Sequence, residues 1–281
     1  MPIRRGAAAV ALLVACQEGI ALPQGGPAEP VTFVSNDVSL AGEIALPSGP
    51  GPFPGVVLVH GSGPVTREGN APLRNVFLEQ GFAVLSYDKR GVGASGGAYR
   101  GVGPLNSDSM IRLLAEDAAA ALRTMAKHAR VDPRRLGLAG ASQAGWIIPH
   151  AATLFPVSFS VILSGPLVTV GQEIWYSTAF EQGTRSLADA DAVLAAYTGP
   201  LGYDPLPDAR RMSGRVYWVL GKKDRSIPAE RSAALARSLI EQLPRPDWRV
   251  VLLSEGDHGL RDSGSGRELI FWPEVFAWIR P

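Results

Sequence analysis

Leu136-Gly137-Leu138-Ala139-Gly140-Ala141-Ser142-Gln143-Ala144-Gly145 reads as an apolar strand, a small-residue turn with Ser142 at its apex, and the opening of a helix. A backbone that reverses this sharply leaves no room for large side chains beside the apex, so only small residues fit on either side. Gly140 meets that demand two residues before the serine. Two residues after it stands Ala144, with Gly145 one further on, so the pattern departs from G-x-S-x-G by a single methyl group.

Outward from this stretch, the remaining apolar runs have the same continuous character. Val56–Val59, Ala83–Leu85, Phe159–Leu163, Val216–Leu220 and Val250–Leu253 show no polar alternation, which predicts strands of a parallel sheet covered on both faces. Helical patterning over 71–80, 108–128, 143–154, 229–243 and 268–279 falls between them. Strand and helix therefore alternate, and the fold class expected is α/β: a doubly wound, mostly parallel sheet with helices on both faces. Near the start, VTFVS and LAGEIA flank Asn36-Asp37, the signature of an antiparallel hairpin that opens the sheet. The rhythm breaks over residues 167–212, a polar segment expected to be helical over 186–197 and to form a small cap; its aromatic residues, Trp175, Tyr176, Phe180, Tyr197 and Tyr203, supply packing material.

The 281 residues, 46% hydrophobic and 19% charged, suit one catalytic domain over 31–281 with one buried core. Lys+Arg 27 against Asp+Glu 26 gives a net charge of +1, so no global field favours nucleic acid, and a small neutral or weakly charged substrate is the expected partner. Residues 1–30 read as a signal and tether. A basic start is followed by a short apolar run, and Leu13-Val14-Ala15-Cys16 resembles the bacterial lipobox, with Cys16 the lipidation site. The expectation is an exported protein, either a membrane-anchored lipoprotein or a periplasmic or secreted one. The membrane is then touched only through a lipidated Cys16. As the only cysteine, Cys16 forms no intrachain disulfide.

A serine hydroxyl is a weak nucleophile and needs a base within hydrogen-bond reach. Of four histidines, His60 ends a strand, His128 ends a long helix and His150 lies two turns into the helix after the serine. His258, in Gly256-Asp257-His258-Gly259 after the last strand, is the candidate base, because loops at the carboxyl edge of a parallel sheet converge. An acid is needed to fix the imidazole tautomer. Asp224, in the short loop after the strand Val216–Leu220, fits; Asp204, Asp208 and Asp247 lie in Pro-rich connections and read as turn residues. Donors for a developing oxyanion are expected from the backbone N–H of Gln143 and of Ser62, the latter in the turn His60-Gly61-Ser62-Gly63-Pro64.

With these residues in place the chain resembles the α/β-hydrolase superfamily over 31–281. Asp88-Lys89-Arg90-Gly91-Val92-Gly93-Ala94-Ser95 is similar to its D-x-R-G-x-G-x-S segment, and Gly221 to Pro228 to its G-x-x-D-x-x-x-P acid loop. The resemblance implies hydrolysis of an ester, thioester, amide or related bond through an acyl-enzyme, without metal or organic cofactor. One cysteine, scattered histidines and no H-E-x-x-H also argue against a metal enzyme. Gly91 to Gly96 matches G-x-G-x-x-G, but no helix is expected to open there, which weighs against dinucleotide binding. A carboxylesterase acting on small-molecule esters is the leading expectation. The alternatives are a serine peptidase of the same fold, aminoacyl- or prolyl-peptidase-like, and a binding protein that keeps the fold without catalysis.

Overall fold

In a computed structural model of the chain the described residues are 28–243 and 247–280; Cys16 and the predicted signal lie outside them. Eight strands form one sheet: β1 (Glu29–Ser35), β2 (Val38–Ala45), β3 (Phe53–Val59), β4 (Ala83–Tyr87), β5 (Val131–Ala141), β6 (Phe159–Leu163), β7 (Arg215–Gly221) and β8 (Trp248–Leu253). Their order is β1-β2-β4-β3-β5-β6-β7-β8. The first two strands are the predicted hairpin, turned by Asn36 and Asp37 at φ 47° and 58°, left-handed conformations that short polar side chains tolerate. β2 meets β4 antiparallel, and every later pairing is parallel.

The apolar strands divide their side chains between two layers of core. Val57, Val59, Leu85, Leu138, Ile162 and Trp218 face the layer formed by helices α2 (Ser107–Met125), α3 (Ala144–Leu154) and α7 (Ala229–Gln242). Val56, Leu58, Val84, Val161, Tyr217 and Val219 face the opposite layer, from α1 (Ala71–Glu79) and α8 (Trp272–Ile279). Burial on both faces removes any selection for polar alternation, which is why these strands read as unbroken hydrophobic runs.

Two differences from the sequence expectation stand out. α8 begins at Trp272 instead of 268, because Glu268 is held in a bridge with Arg261. The segment between β6 and β7 is led by α4 (Val170–Phe180), a helix not anticipated, whereas the predicted helix over 186–197 shrinks to a 3₁₀ turn, Leu187–Asp189, and α5 (Ala190–Ala195); α6 (Leu206–Ala209) follows. The start of α4 carries a capping box, Thr169 with Gln172, a signal legible as T-x-x-Q. The aromatic residues mostly pack the insertion itself. Tyr176 and Phe180 form a small core with Val193 and Leu194, the Trp175 indole donates to the Val193 carbonyl, and the Tyr197 hydroxyl donates to that of Pro200.

The order reversal matters for function. From β3 the chain steps out to β4 and then back across to β5, so the loops leaving β3 and β5 diverge to opposite faces and open a crevice at their carboxyl ends. Sheets of this type bind ligands at such a switch point.

Candidate active site

Ser142 stands at the carboxyl end of β5 with φ 59°, a left-handed conformation that costs a non-glycine residue on the order of 1–3 kcal/mol. Its N–H donates to the Leu163 carbonyl at 2.9 Å. A side chain on Gly140 would lie 2.5 Å from the Val59 carbonyl oxygen and 2.6 Å from the Ala144 Cβ, so the absent side chain at 140 makes room for the methyl at 144. Gly145 is needed for another reason: a Cβ there would come within 2.6 Å of the Gly165 Cα, where α3 crosses the loop after β6. Together these contacts account for the pattern G-x-S-x-A-G.

Asp224, three residues beyond β7, is 1% exposed. One carboxylate oxygen accepts the N–H groups of Ser226 at 2.7 Å and Ile227 at 2.9 Å, and the other meets His258 Nδ1 at 2.8 Å. With Nδ1–H donating to Asp224, Nε2 is the nitrogen left to act as base. Burial opposes protonation of His258, but the charge and hydrogen bond of Asp224, with Glu173 and Asp257 adding, raise its pKa above the usual 6.5. Asp224 and His258 are therefore brought together across the carboxyl ends of β7 and β8. Ser142 sits on the same edge, at the end of β5; its hydroxyl and the imidazole are not hydrogen-bonded to each other in this structure. Such contacts are commonly long without substrate.

The turn after β3 lies against the serine: a Cβ on Gly61 would be 3.4 Å from the Ala141 carbonyl and 3.8 Å from the Ser142 Cβ. Ser62 is exposed within that turn. Gln143 caps α3 with helical dihedrals, and a first-turn amide has no intrahelical partner, which leaves its N–H free to face an anion. His60 and His150 have structural duties. His60 is buried with Nε2 2.6 Å from the Tyr87 carbonyl, and burial together with Lys89 lowers its pKa to about 3, so it stays neutral. His150 pairs with Asp208 at 2.9 Å, which also accepts the Tyr203 hydroxyl at 2.7 Å. Asp208 is thus a buried anchor between α3 and the insertion, and the turn role expected of it does not hold.

Below these loops the D-x-R-G-x-G-x-S segment is a framework. The Asp88 carboxylate takes the Arg67 guanidinium, the Arg67 N–H and the Ala94 N–H. Gly93, at φ 56°, has no space for a side chain beside it, since a Cβ would be 2.4 Å from the Asp88 Oδ2. Arg90 is ion-paired with buried Asp117 of α2. No helix follows until Ser107, so this loop lacks the helix N-terminus on which a dinucleotide fingerprint places its pyrophosphate.

The prolyl oligopeptidase family matches residues 72–279, spanning every strand from β4 onward with Ser142, Asp224 and His258 inside the match. The chain belongs to the prolyl oligopeptidase family. A shorter stretch of 72 residues is 39% identical to the esterase EstD of Thermotoga maritima, covering 22% of this chain and 18% of that esterase. Among solved structures, an esterase of Pyrococcus furiosus superposes with a TM-score of 0.66 at 15% identity, covering 90% of this chain and 91% of the other. The acylaminoacyl peptidase of Pyrococcus horikoshii gives 0.62 at 17% identity, covering 88% of this chain but 40% of the peptidase. A 2,6-dihydroxy-pseudo-oxynicotine hydrolase gives 0.64 at 18% identity, over 90% and 67% of the two chains. These likenesses show the α/β-hydrolase fold, and the chain spans less than a fifth of the length of the esterase it matches in sequence.

In this member of the prolyl oligopeptidase family two groups of α4 bear on Asp224 and His258. Tyr176 of α4 donates its hydroxyl to the Asp224 carbonyl at 2.9 Å and so rests the insertion on the acid loop. One helical turn before it, on the same face, stands Glu173. Burial pushes its carboxyl up to about 8 against the pull of the His258 imidazole, and the charges of Glu181 and Asp224 add to the rise. A cavity of about 290 Å³ lies between the insertion and α7, lined by Tyr176, Leu187, Leu194, Lys222 and Glu230 among others; neither Ser142 nor His258 lines it. The carboxyl ends of β3 and β5 are the better candidate for chemistry, because there the turn after β3 lies against Ser142.

Proposed function

We propose that this protein is a serine hydrolase that cleaves carboxylic esters of small molecules through an acyl-enzyme. The observation that carries the reading is the buried Asp224 carboxylate bonded to His258 Nδ1, on the sheet edge that also presents Ser142 at φ 59°. In the first step His258 Nε2 takes the Ser142 hydroxyl proton as Oγ attacks the ester carbonyl. The carbonyl oxygen becomes an oxyanion facing the N–H groups of Ser62 and Gln143. Collapse expels the alcohol, which leaves with the proton held by His258, and the acyl group stays on Ser142. Water, deprotonated by the same nitrogen, then attacks the acyl-enzyme and releases the acid, restoring the Ser142 hydroxyl. Asp224 holds the tautomer and stabilises the imidazolium throughout.

A second reading, an aminoacyl or prolyl peptidase, is favoured by the family and by Glu173, whose carboxyl lies close enough to His258 for their charges to interact. An anionic Glu173 would hold the ammonium group of an aminoacyl substrate. The insertion over 167–212 would in either case act as the cap that selects the substrate. Kinetics on short and long acyl esters beside aminoacyl amides, with Ser142→Ala as control, test the choice. Ester turnover that survives Ser142→Ala at more than about a hundredth of wild type removes the nucleophile assignment altogether. For the leader we propose export with lipidation at Cys16; fractionation of wild type and Cys16→Ser tests it, and a wholly soluble wild type overturns it.

A further inference from the structure

Lys89 is wholly buried, and none of the partners its ammonium has among the described residues is a carboxylate. The neighbouring Asp88 spends its oxygens on Arg67 and Ala94. The Lys89 Nζ instead donates to the carbonyl oxygens of Gly61 at 2.6 Å and Gly63 at 2.7 Å, reaches the Gln143 Oε1 at 3.4 Å, and stands 4.2 Å above the Tyr99 ring. Burying a cation among neutral groups is costly, and burial accordingly lowers its pKa to about 7. A packing role would be filled at less cost by methionine or leucine, so the ammonium itself calls for an explanation.

The Gly61 carbonyl and the Ser62 N–H belong to one peptide unit. In a trans peptide they point in opposite directions. An ammonium bonded to that carbonyl therefore turns the Ser62 N–H away from Lys89, and Gly61 lies directly against Ser142. A positive charge on the carbonyl also polarises the unit and strengthens its N–H as a donor. The same ammonium reaches the side chain of Gln143, whose backbone N–H is the other proposed donor.

We propose that Lys89 is a positioning residue for the oxyanion site, fixing and polarising the Gly61–Ser62 peptide and tying that turn to Gln143 so that both N–H groups face one point above Ser142. The proposal rests on the serine-hydrolase reading above. It deepens that reading by assigning the site a residue that touches neither substrate nor nucleophile.

Lys89→Met removes the ammonium and keeps an unbranched stem. Its expected effect is a fall in kcat of about 10- to 100-fold, short of the 10²–10³ lost with a whole oxyanion donor, with KM changed less than about threefold because the donors act chiefly on the transition state. The deciding readout is the ratio of kcat/KM for an ester over its thionoester, since sulfur makes poor use of N–H donors. In Lys89→Met that ratio should fall at least about fivefold, whereas general loosening of the fold slows both substrates alike. A folded Lys89→Met with an unchanged ratio overturns the proposal. Should it not fold, the ratio is read on Lys89→Gln, which keeps an N–H donor; failure of both to fold assigns Lys89 to structure and also overturns it. Ser142→Ala run in parallel separates the two levels: retained turnover there defeats the serine-hydrolase reading, while a dead Ser142→Ala with an unchanged ratio defeats only the role of Lys89.

Discussion

Asp224→Asn is the sharpest test of how the site is built, because asparagine keeps the shape and reverses one hydrogen bond. The Asp224 oxygen that accepts from the Ser226 and Ile227 N–H groups, at 2.7 and 2.9 Å, has its counterpart in the asparagine carbonyl. The other position, 2.8 Å from His258 Nδ1, becomes an NH₂ group, which can only donate. Nδ1 must then accept, so the proton moves to Nε2 and the imidazole presents a donor where a base is needed. Reversal of this kind costs about 10⁴ in kcat, or about 5.5 kcal/mol at 1.36 kcal/mol per tenfold. Stability should fall by only about 1–2 kcal/mol, the difference between a charge-assisted and a neutral hydrogen bond. Asp224→Ala separates the two effects from the other side. It strands the buried Ile227 amide at about 1–3 kcal/mol and the partly buried Ser226 amide at less, so about 1–4 kcal/mol of stability goes with the activity. Steady-state kinetics on a short-chain p-nitrophenyl ester, with urea unfolding of each variant, measure both quantities. A folded Asp224→Asn that keeps more than about a tenth of wild-type kcat/KM refutes the reasoning, since the imidazole would not then depend on Asp224 for its tautomer.

Since the pKa of His258 is raised, kcat/KM should fall as pH drops through a midpoint above 6.5, and a profile flat from pH 5 to 8 would remove His258 as base. The stability contributed by protonated His258 has the opposite course: it is fully present below the unfolded value near 6.5 and lost as pH rises through the raised folded value, so thermal melts of wild type against Asp224→Asn should differ in pH slope over that window. Glu173→Gln should change ester turnover less than about threefold yet lower kcat/KM for an aminoacyl substrate at least about tenfold if the peptidase reading holds, a loss in line with a charge-assisted contact; equal effects on both would favour neither a specificity role nor that reading. Gly145→Ala forces a methyl onto the Gly165 backbone at 2.6 Å and should cost about 1–3 kcal/mol in urea unfolding, as overpacking does; a neutral result would mean that the crossing of α3 and this loop relaxes freely.

The chain order of local signals was enough to determine a great deal. Leu136–Gly145 declares strand, turn and helix because the conformation it adopts tolerates few alternatives, and the apolar runs declare a sheet covered on both faces because burial on both sides leaves them no polar positions. The choice of Ser142, Asp224 and His258 as candidates follows from loops at strand ends, a feature that the order of elements alone exposes. Tertiary structure decided what depends on distant partners. The insertion looked strongest near residue 190, yet its main helix is α4, whose place is secured by Tyr176 on the Asp224 loop and by the capping box of Thr169. Asp208 looked like a turn residue until His150, from another helix, was found against it. Lys89 carried no signal in the sequence beyond lying inside a familiar segment; its meaning lies in two carbonyls 26 and 28 residues away. Contacts across such separations leave no periodic trace in a sequence, because they are fixed by where the folded sheet brings its loops and not by the residues that flank them.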